Sequence, residues 1–370
     1  MQASRSAWWF VWLAVLDASC LSVGSSAREP VADAADGHGT PIVLDWRRLS
    51  SLPDPVGVAG SFAGVSAGAV IVAGGANFPD RPPWEGGRKV WHDRLWMLAD
   101  ADAEWRPIGR LPRPLAYGVS ATDRHGVICV GGSDERQHHA DVVRIRLVGT
   151  EVRFDELPRL PEPLANGCGA VVGDTLYVCG GTVSPEATRP LDGLWSLDLT
   201  AADAAWRRLE PCPGGPRLLA TAAALNDGLF ICGGADLEPA AGGPPTRIYR
   251  RDAWLYAPDA GWKRLADAPC PLVAAPSPAP VLSTGEAVVL GGDTGEHVGF
   301  APPDRHPGFS RMVLAYDPRH DSWRTLATAA VARVTVPVVQ WRRQWLVVSG
   351  EARPGVRSPE VWAIRDEQEP

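Results

Sequence analysis

The segment Gly350-Glu351-Ala352-Arg353-Pro354-Gly355-Val356-Arg357 sets one carboxylate beside two guanidinium groups. A carboxylate positioned by a cation can take and return a proton, but a salt bridge that braces a loop uses the same residues. Arg113, Arg217 and Arg333 each follow the end of a repeat at a similar offset. Several arginines around one opening favour an anionic ligand, because guanidinium meets carboxylate bidentately; singly, each reads as a solvated loop charge. Residues 76–93 form a long Pro- and Gly-rich stretch carrying Asn77, Lys89 and two tryptophans. Such a stretch suits a sugar, or is a surface loop held by its own aromatics. His138-His139 with Asp134 and Glu135 lack a metal-ligand spacing. The sequence has no Gly-Lys-Ser/Thr phosphate loop, no Gly-x-Ser-x-Gly elbow and no His-Glu-x-x-His helix.

The elements that must position these residues are repeated. Gly-Gly pairs end apolar runs at Gly74-Gly75, Gly131-Gly132, Gly180-Gly181, Gly233-Gly234 and Gly291-Gly292, and a sixth, altered copy reads Val347-Val348-Ser349-Gly350-Glu351. A period near fifty with strand-like runs inside it predicts an all-β propeller of four-stranded blades. In the second copy the strands read Tyr117–Ala121, Gly126–Val130 and Asp141–Ile145, then a closing strand with Phe154. The closing aromatics elsewhere are Trp46, Trp105, Trp206, Trp262 and Trp323, which makes six blades and accounts for much of the 16 Trp. Gly-Gly, spaced aromatics and this period are the kelch signature. The last copy lacks a closing Trp strand, and residues 42–49 supply one, so the N-terminal strand is expected to complete the last blade and hide its edge.

The repeat makes 41–370 a single domain despite the length of 370 residues. Arg5 and the apolar run of residues 7–16, too short to span a bilayer, predict a signal peptide over 1–29, with a spacer over 30–40. The expected setting is exported and periplasmic, without a transmembrane span in the mature protein. A faint lipoprotein box at Cys20 makes a lipid anchor the lesser alternative. The net charge of −7 and the presence of only Lys89 and Lys263 among lysines argue against nucleic acid as partner. Cys129, Cys179 and Cys232 precede glycine pairs and read as small buried hydrophobes. Cys212 and Cys270 could pair in an exported chain.

Several strings resemble the kelch-type sialic acid mutarotases (N-acetylneuraminate epimerases), in particular the cyclically permuted group. They are the run 57–64 (Gly-Val-Ala-Gly-Ser-Phe-Ala-Gly), Gly74-Gly75-Ala76-Asn77-Phe78-Pro79, Lys89-Val90-Trp91-His92-Asp93, Arg113-Pro114-Leu115-Ala116-Tyr117-Gly118, and the Gly350–Arg357 string. The resemblance covers residues 41–366. It implies interconversion of the α and β anomers of N-acetylneuraminate, with Glu351 as proton acceptor and Arg357 as the second catalytic residue, holding the substrate carboxylate. Asn77, Lys89, Arg113, Tyr117 and Arg217 are the candidate substrate-binding residues, and neither metal nor redox cofactor is required. The alternatives are a mutarotase of another sugar, or a non-catalytic propeller that binds glycan or protein. Galactose-oxidase-like copper chemistry is disfavoured with only 5 Tyr in the chain.

Overall fold

The computed structural model describes residues 44–366 apart from 241, 242 and 244; the expected leader and spacer lie outside the described residues. Five four-stranded antiparallel sheets and one three-stranded sheet stand around an axis as six blades. The first is Phe62–Ser66, Ala69–Ala73, Arg94–Leu98 and Arg106–Arg110. The second to fourth repeat this order, beginning at Val119–Thr122, Cys168–Val172 and Thr221–Leu225. The fifth is Ala287–Gly292, Ser310–Asp317 and Ser322–Thr328, its innermost strand reduced to a bridge between Val281 and Ala287. The sixth takes Val338–Trp341, Gln344–Val348 and Val361–Asp366 from the end of the chain. Its outer strand is Leu44–Leu49, paired from Leu44 opposite Asp366 to Leu49 opposite Val361. The expected closure is therefore present over 44–49, while 42 and 43 lie outside the described residues.

Six apolar clusters occupy the six interfaces between neighbouring blades, because each sheet is apolar on both faces and one blade alone cannot cover them. A seventh, with Leu219, Ala274 and Val334, lies by the axis. The closing tryptophans tie these interfaces at the rim. Trp105, Trp206, Trp262 and Trp323 each donate the indole N–H to a backbone carbonyl just past the preceding blade's outer strand, at Ser50, Pro158, Glu210 and Ala266, at 2.7–2.9 Å. Phe154 cannot donate, and the Trp46 indole is buried with no partner. Cys129, Cys168, Cys179 and Cys232 are buried in the interfaces as free thiols. Cys212 and Cys270 are free as well, so the pairing considered from sequence is not made.

Nearer the axis, the N–H of the second glycine of five copies reaches the next blade. Gly75, Gly132, Gly181, Gly234 and Gly350 donate to the carbonyls of Leu115, Leu164, Arg217, Leu272 and Val58 at 2.7–2.9 Å. Innermost is a closed circle of backbone hydrogen bonds. Tyr117 N–H donates to Gly60, Asn166 to Tyr117, Leu219 to Asn166, Ala274 to Leu219, Thr335 to Ala274 and Gly60 to Thr335, at 2.7–2.8 Å. All six residues are left-handed, with φ between 54° and 65°. The Tyr117 ring lies over Gly60, where an added Cβ would sit 2.4 Å from Tyr117 Cδ1.

Gly60→Ala therefore combines a left-handed non-glycine residue with a steric clash, and is expected to lower unfolding stability by about 3–5 kcal/mol. Gly149→Ala, equally left-handed at φ 62° but with nothing within 4 Å of the new methyl, should lose only about 1 kcal/mol. Urea unfolding of the two variants checks this. Equal losses would mean that the crowding at Gly60 carries no energetic weight.

Candidate active site

The altered copy of the glycine pair builds the site. Ser349 takes the first glycine's left-handed conformation, at φ 66°. Its hydroxyl accepts from Val58 N–H at 2.8 Å and faces the carbonyls of Ser358 at 2.7 Å and Val58 at 2.9 Å. This fastens the last blade to the connection leading into the first. The chain then forms a short ribbon, Glu351–Arg353 with Val356–Arg357, in which Glu351 stands opposite Arg357. Glu351 also bridges Val334, the neighbour of Thr335 in the axial circle.

Glu351 is 2% exposed. Its Oε1 accepts from Gly355 N–H at 2.7 Å and from Arg357 Nη1 at 2.8 Å. Both bonds fall on Oε1, which leaves Oε2 without a protein partner. Arg357 Nη2 lies 3.4 Å from the Tyr117 hydroxyl, its Cζ is 5.0 Å from the centre of the Phe78 ring, and its Nε has no partner. Burial works to lower the Arg357 pKa, but Glu351 and Tyr117 outweigh it and the net shift is upward. Long loops flank the ribbon. A Cβ on Gly355 would meet Pro83 of the first blade's loop at 2.6 Å, and Arg353 donates to the Asp304 carbonyl of the fifth blade's loop at 2.6 Å. Lys89 Nζ lies 5.1, 5.5 and 5.8 Å from the ring centres of Tyr117, Trp91 and Phe78.

The structure thus brings together Glu351, Arg357, Tyr117 and Lys89. Phe78 and Trp91, quoted in the sequence strings only as loop aromatics, become walls of the site. Asn77 takes a different role from the one expected. It is 1% exposed, donates to Asp54 at 3.1 Å and to the Gly57 carbonyl at 2.9 Å, and its Oδ1 faces His92 Nε2 at 2.8 Å. It is a strut, and burial lowers the pKa of its histidine partner.

The arginines are braces as well. Arg217, 1% exposed, is paired with Asp252 at 2.8 Å and donates to the Gly233 carbonyl at 3.1 Å, leaving it no face for a ligand. Arg113 pairs with Asp141 at 3.1 Å and donates to His139 Nδ1 at 2.8 Å; Arg333 pairs with Glu360 at 2.6 Å. Each acid stands just before the third strand of a blade, so the similar offset of the arginines reflects a repeated brace. Buried pairs take up Arg217 and Arg333, whereas the Arg113 side chain stays 47% exposed and remains a candidate for the ligand. Arg357 is locked on Glu351, with the two side chains 4% and 3% exposed. His139, between Arg113 and Asp134, belongs to the same bracing, and no group of three metal-ligating side chains assembles among the described residues.

A cavity of about 640 Å³ opens at the other end of the axis, beside Asp123, Arg124 and Asp174. A second, about 60 Å³, is lined by the axial circle itself. Neither is lined by Glu351 or Arg357. Chemistry therefore rests on the side chains, not on cavity size. A pinned carboxylate with one unpartnered oxygen beside a buried cation can accept and return a proton.

This is a six-bladed β-propeller with a carboxylate–guanidinium site at the seam between its last and first blades. The fold matches the solved structure of YjhT with a TM-score of 0.63 at 15% identity, covering 86% of this chain and 98% of that one. Residues 32–154 match the family model N-acetylneuraminate epimerase. The N-acetylneuraminate epimerase of Yersinia enterocolitica is 44% identical over 87 residues, 20% of this chain and 21% of that protein. Those of Vibrio cholerae and Haemophilus influenzae are 38% identical over 100 residues and 31% over 118, covering 24% and 28% of this chain and 26% and 31% of theirs. The aligned parts thus span about a fifth to a third of these relatives. The family match includes Phe78, Lys89, Trp91 and Tyr117 but stops short of Glu351 and Arg357.

The brace reading of Arg217 can be checked. Asp252 is partly buried, which raises a carboxyl pKa, but the Arg217 charge and the hydrogen bonds from Arg217 and Trp254 outweigh this and lower it. A carboxyl depressed on folding stabilises above its unfolded pKa of about 3.9, and that contribution is lost as pH falls through the folded value. Arg217→Met should lower stability at pH 7 by about 3–5 kcal/mol and flatten its decline below about pH 4. Urea unfolding across pH measures both. A stable variant with weakened ligand binding would restore Arg217 to the binding residues.

Proposed function

We propose that the protein is a sugar mutarotase that interconverts the α and β anomers of N-acetylneuraminate, with Glu351 as general base. The observation that carries this is the contact of Arg357 with Phe78 and Tyr117. It joins the carboxylate at the end of the chain to the segment that resembles the epimerases. The reaction asks for little more than a reversible proton transfer. Glu351 Oε2 takes the proton from the anomeric hydroxyl, the bond between the anomeric carbon and the ring oxygen breaks, and the ring oxygen takes a proton from water. Rotation in the open chain presents the other face of the carbonyl, and the steps reverse. Arg357 fixes the direction of the carboxylate and balances its charge, while Gly355 N–H holds the same oxygen. The leader read over residues 1–29 supports an exported setting for this activity.

NMR exchange spectroscopy on N-acetylneuraminate tests the assignment. Wild-type protein should exchange the anomers faster than buffer, and Glu351→Gln should slow exchange by about 10²–10⁴-fold with the fold intact. Wild-type exchange at the spontaneous rate would make this a binding propeller. Full activity in the Glu351→Gln variant would remove that residue from the role of base.

A further inference from the structure

We infer that Lys89, rather than Arg357, recognises the negative charge of the ligand. The inference rests on the mutarotase reading and deepens it. Arg357 is matched: its guanidinium bonds the only carboxylate in the cluster and is covered by Phe78 and Tyr117. Lys89 is not. Among the described residues it forms no ion pair, and its ammonium rests among three rings, Tyr117, Trp91 and Phe78, at 5.1–5.8 Å. The nearby basic residue Arg88 has its own acid, Glu135, at 2.9 Å.

The two cations share one ring, Phe78, while the one carboxylate bonds Arg357 alone. The cluster of Glu351, Arg357 and Lys89 is one positive charge out of balance, and a ligand carboxylate would neutralise it. Aromatic faces hold an ammonium weakly, which fixes Lys89 without satisfying its three donors. A charge-assisted hydrogen bond to a ligand carboxylate is stronger, so ligand arrival draws the ammonium out of this box. Lysine suits the task because its charge rides on a flexible four-carbon stem, whereas the planar guanidinium of Arg357 is fixed in place. Half-buried Lys89 is also the cation that an incoming ligand meets first, since Arg357 is 9% exposed beneath the rings.

Calorimetric titration with N-acetylneuraminate, and with N-acetylmannosamine as a probe lacking the carboxylate, tests this on the full protein. Lys89→Met should weaken N-acetylneuraminate binding about ten- to hundredfold and leave N-acetylmannosamine binding, weak in both proteins, unchanged. Lys89→Arg should restore most of the affinity, and thermal melting should show both variants folded. Equal N-acetylneuraminate affinity in wild type and Lys89→Met, or no binding by wild type, overturns the inference. Anomer exchange, read in parallel, separates the two ideas. Binding that depends on Lys89 without accelerated exchange overturns the mutarotase reading alone, and accelerated exchange with unchanged binding in Lys89→Met overturns the role of Lys89 alone.

Discussion

Six residues in the left-handed region, one from each blade, close a circle of backbone hydrogen bonds on the axis, and every other feature is arranged around that circle. Five of them are not glycine, and each such residue costs about 1–2 kcal/mol in this conformation. A backbone hydrogen bond returns about 0.5–1.5 kcal/mol net. The circle therefore comes close to balance by itself and cannot be what drives the fold. It persists because the six apolar interfaces fix the blades at the spacing that the circle requires. Strain of this kind survives where the surroundings over-determine the backbone.

The same circle places the chemistry. Tyr117 belongs to it, and so its ring lies over Gly60 and its hydroxyl reaches Arg357, 240 residues away in sequence. Thr335 belongs to it too, and its neighbour Val334 bridges Glu351. The carboxylate is thus referenced to the most constrained backbone in the molecule by one ladder step, and its partner by one side chain. The seam adds a second restraint. Ser349 and Gly350 bond the Val58 peptide, so the ribbon that carries Glu351 is fastened across the point where the two ends of the chain meet. Closing the ring with Leu44–Leu49 and building the site are parts of the same event.

The repeat made the blades readable, because glycine pairs and closing aromatics mark positions where only certain residue types fit. The strand that closes the last blade was readable for the same reason: one copy lacked an aromatic and the other end of the chain had one to spare. The axial circle was hidden. Gly60, Tyr117, Asn166, Leu219, Ala274 and Thr335 share a backbone conformation and no side-chain character, so no residue pattern reports them. The arginines misled for a related reason. A repeated brace and a ring of ligand cations give the same spacing, and they differ only in where the acids Asp141, Asp252 and Glu360 stand. Those acids were visible one residue before each third strand. Glu351 and Arg357 stood out as a string, whereas the meeting of Arg357 with Phe78 joins opposite ends of the chain and needed coordinates.

If Glu351 is the base proposed above, pinning one of its oxygens while leaving the other without a partner answers a difficulty that any buried catalytic carboxylate faces. A base with both oxygens satisfied has nothing left with which to take a proton, and one with neither satisfied has no fixed direction. Here Gly355 N–H and Arg357 hold Oε1, and the two-stranded geometry that sets Glu351 opposite Arg357 keeps Oε2 on a known bearing. Orientation of this sort removes rotational freedom before the reaction begins, which is where much of the barrier to a proton transfer between positioned groups lies. The loops that flank the ribbon press on it at Gly355 and Arg353. The ladder step to Val334 and the seam at Val58 have already fixed it. On the assignment proposed above, base and ligand selection reside in separate parts of the structure, the first in the ribbon and the second in residues 76–93.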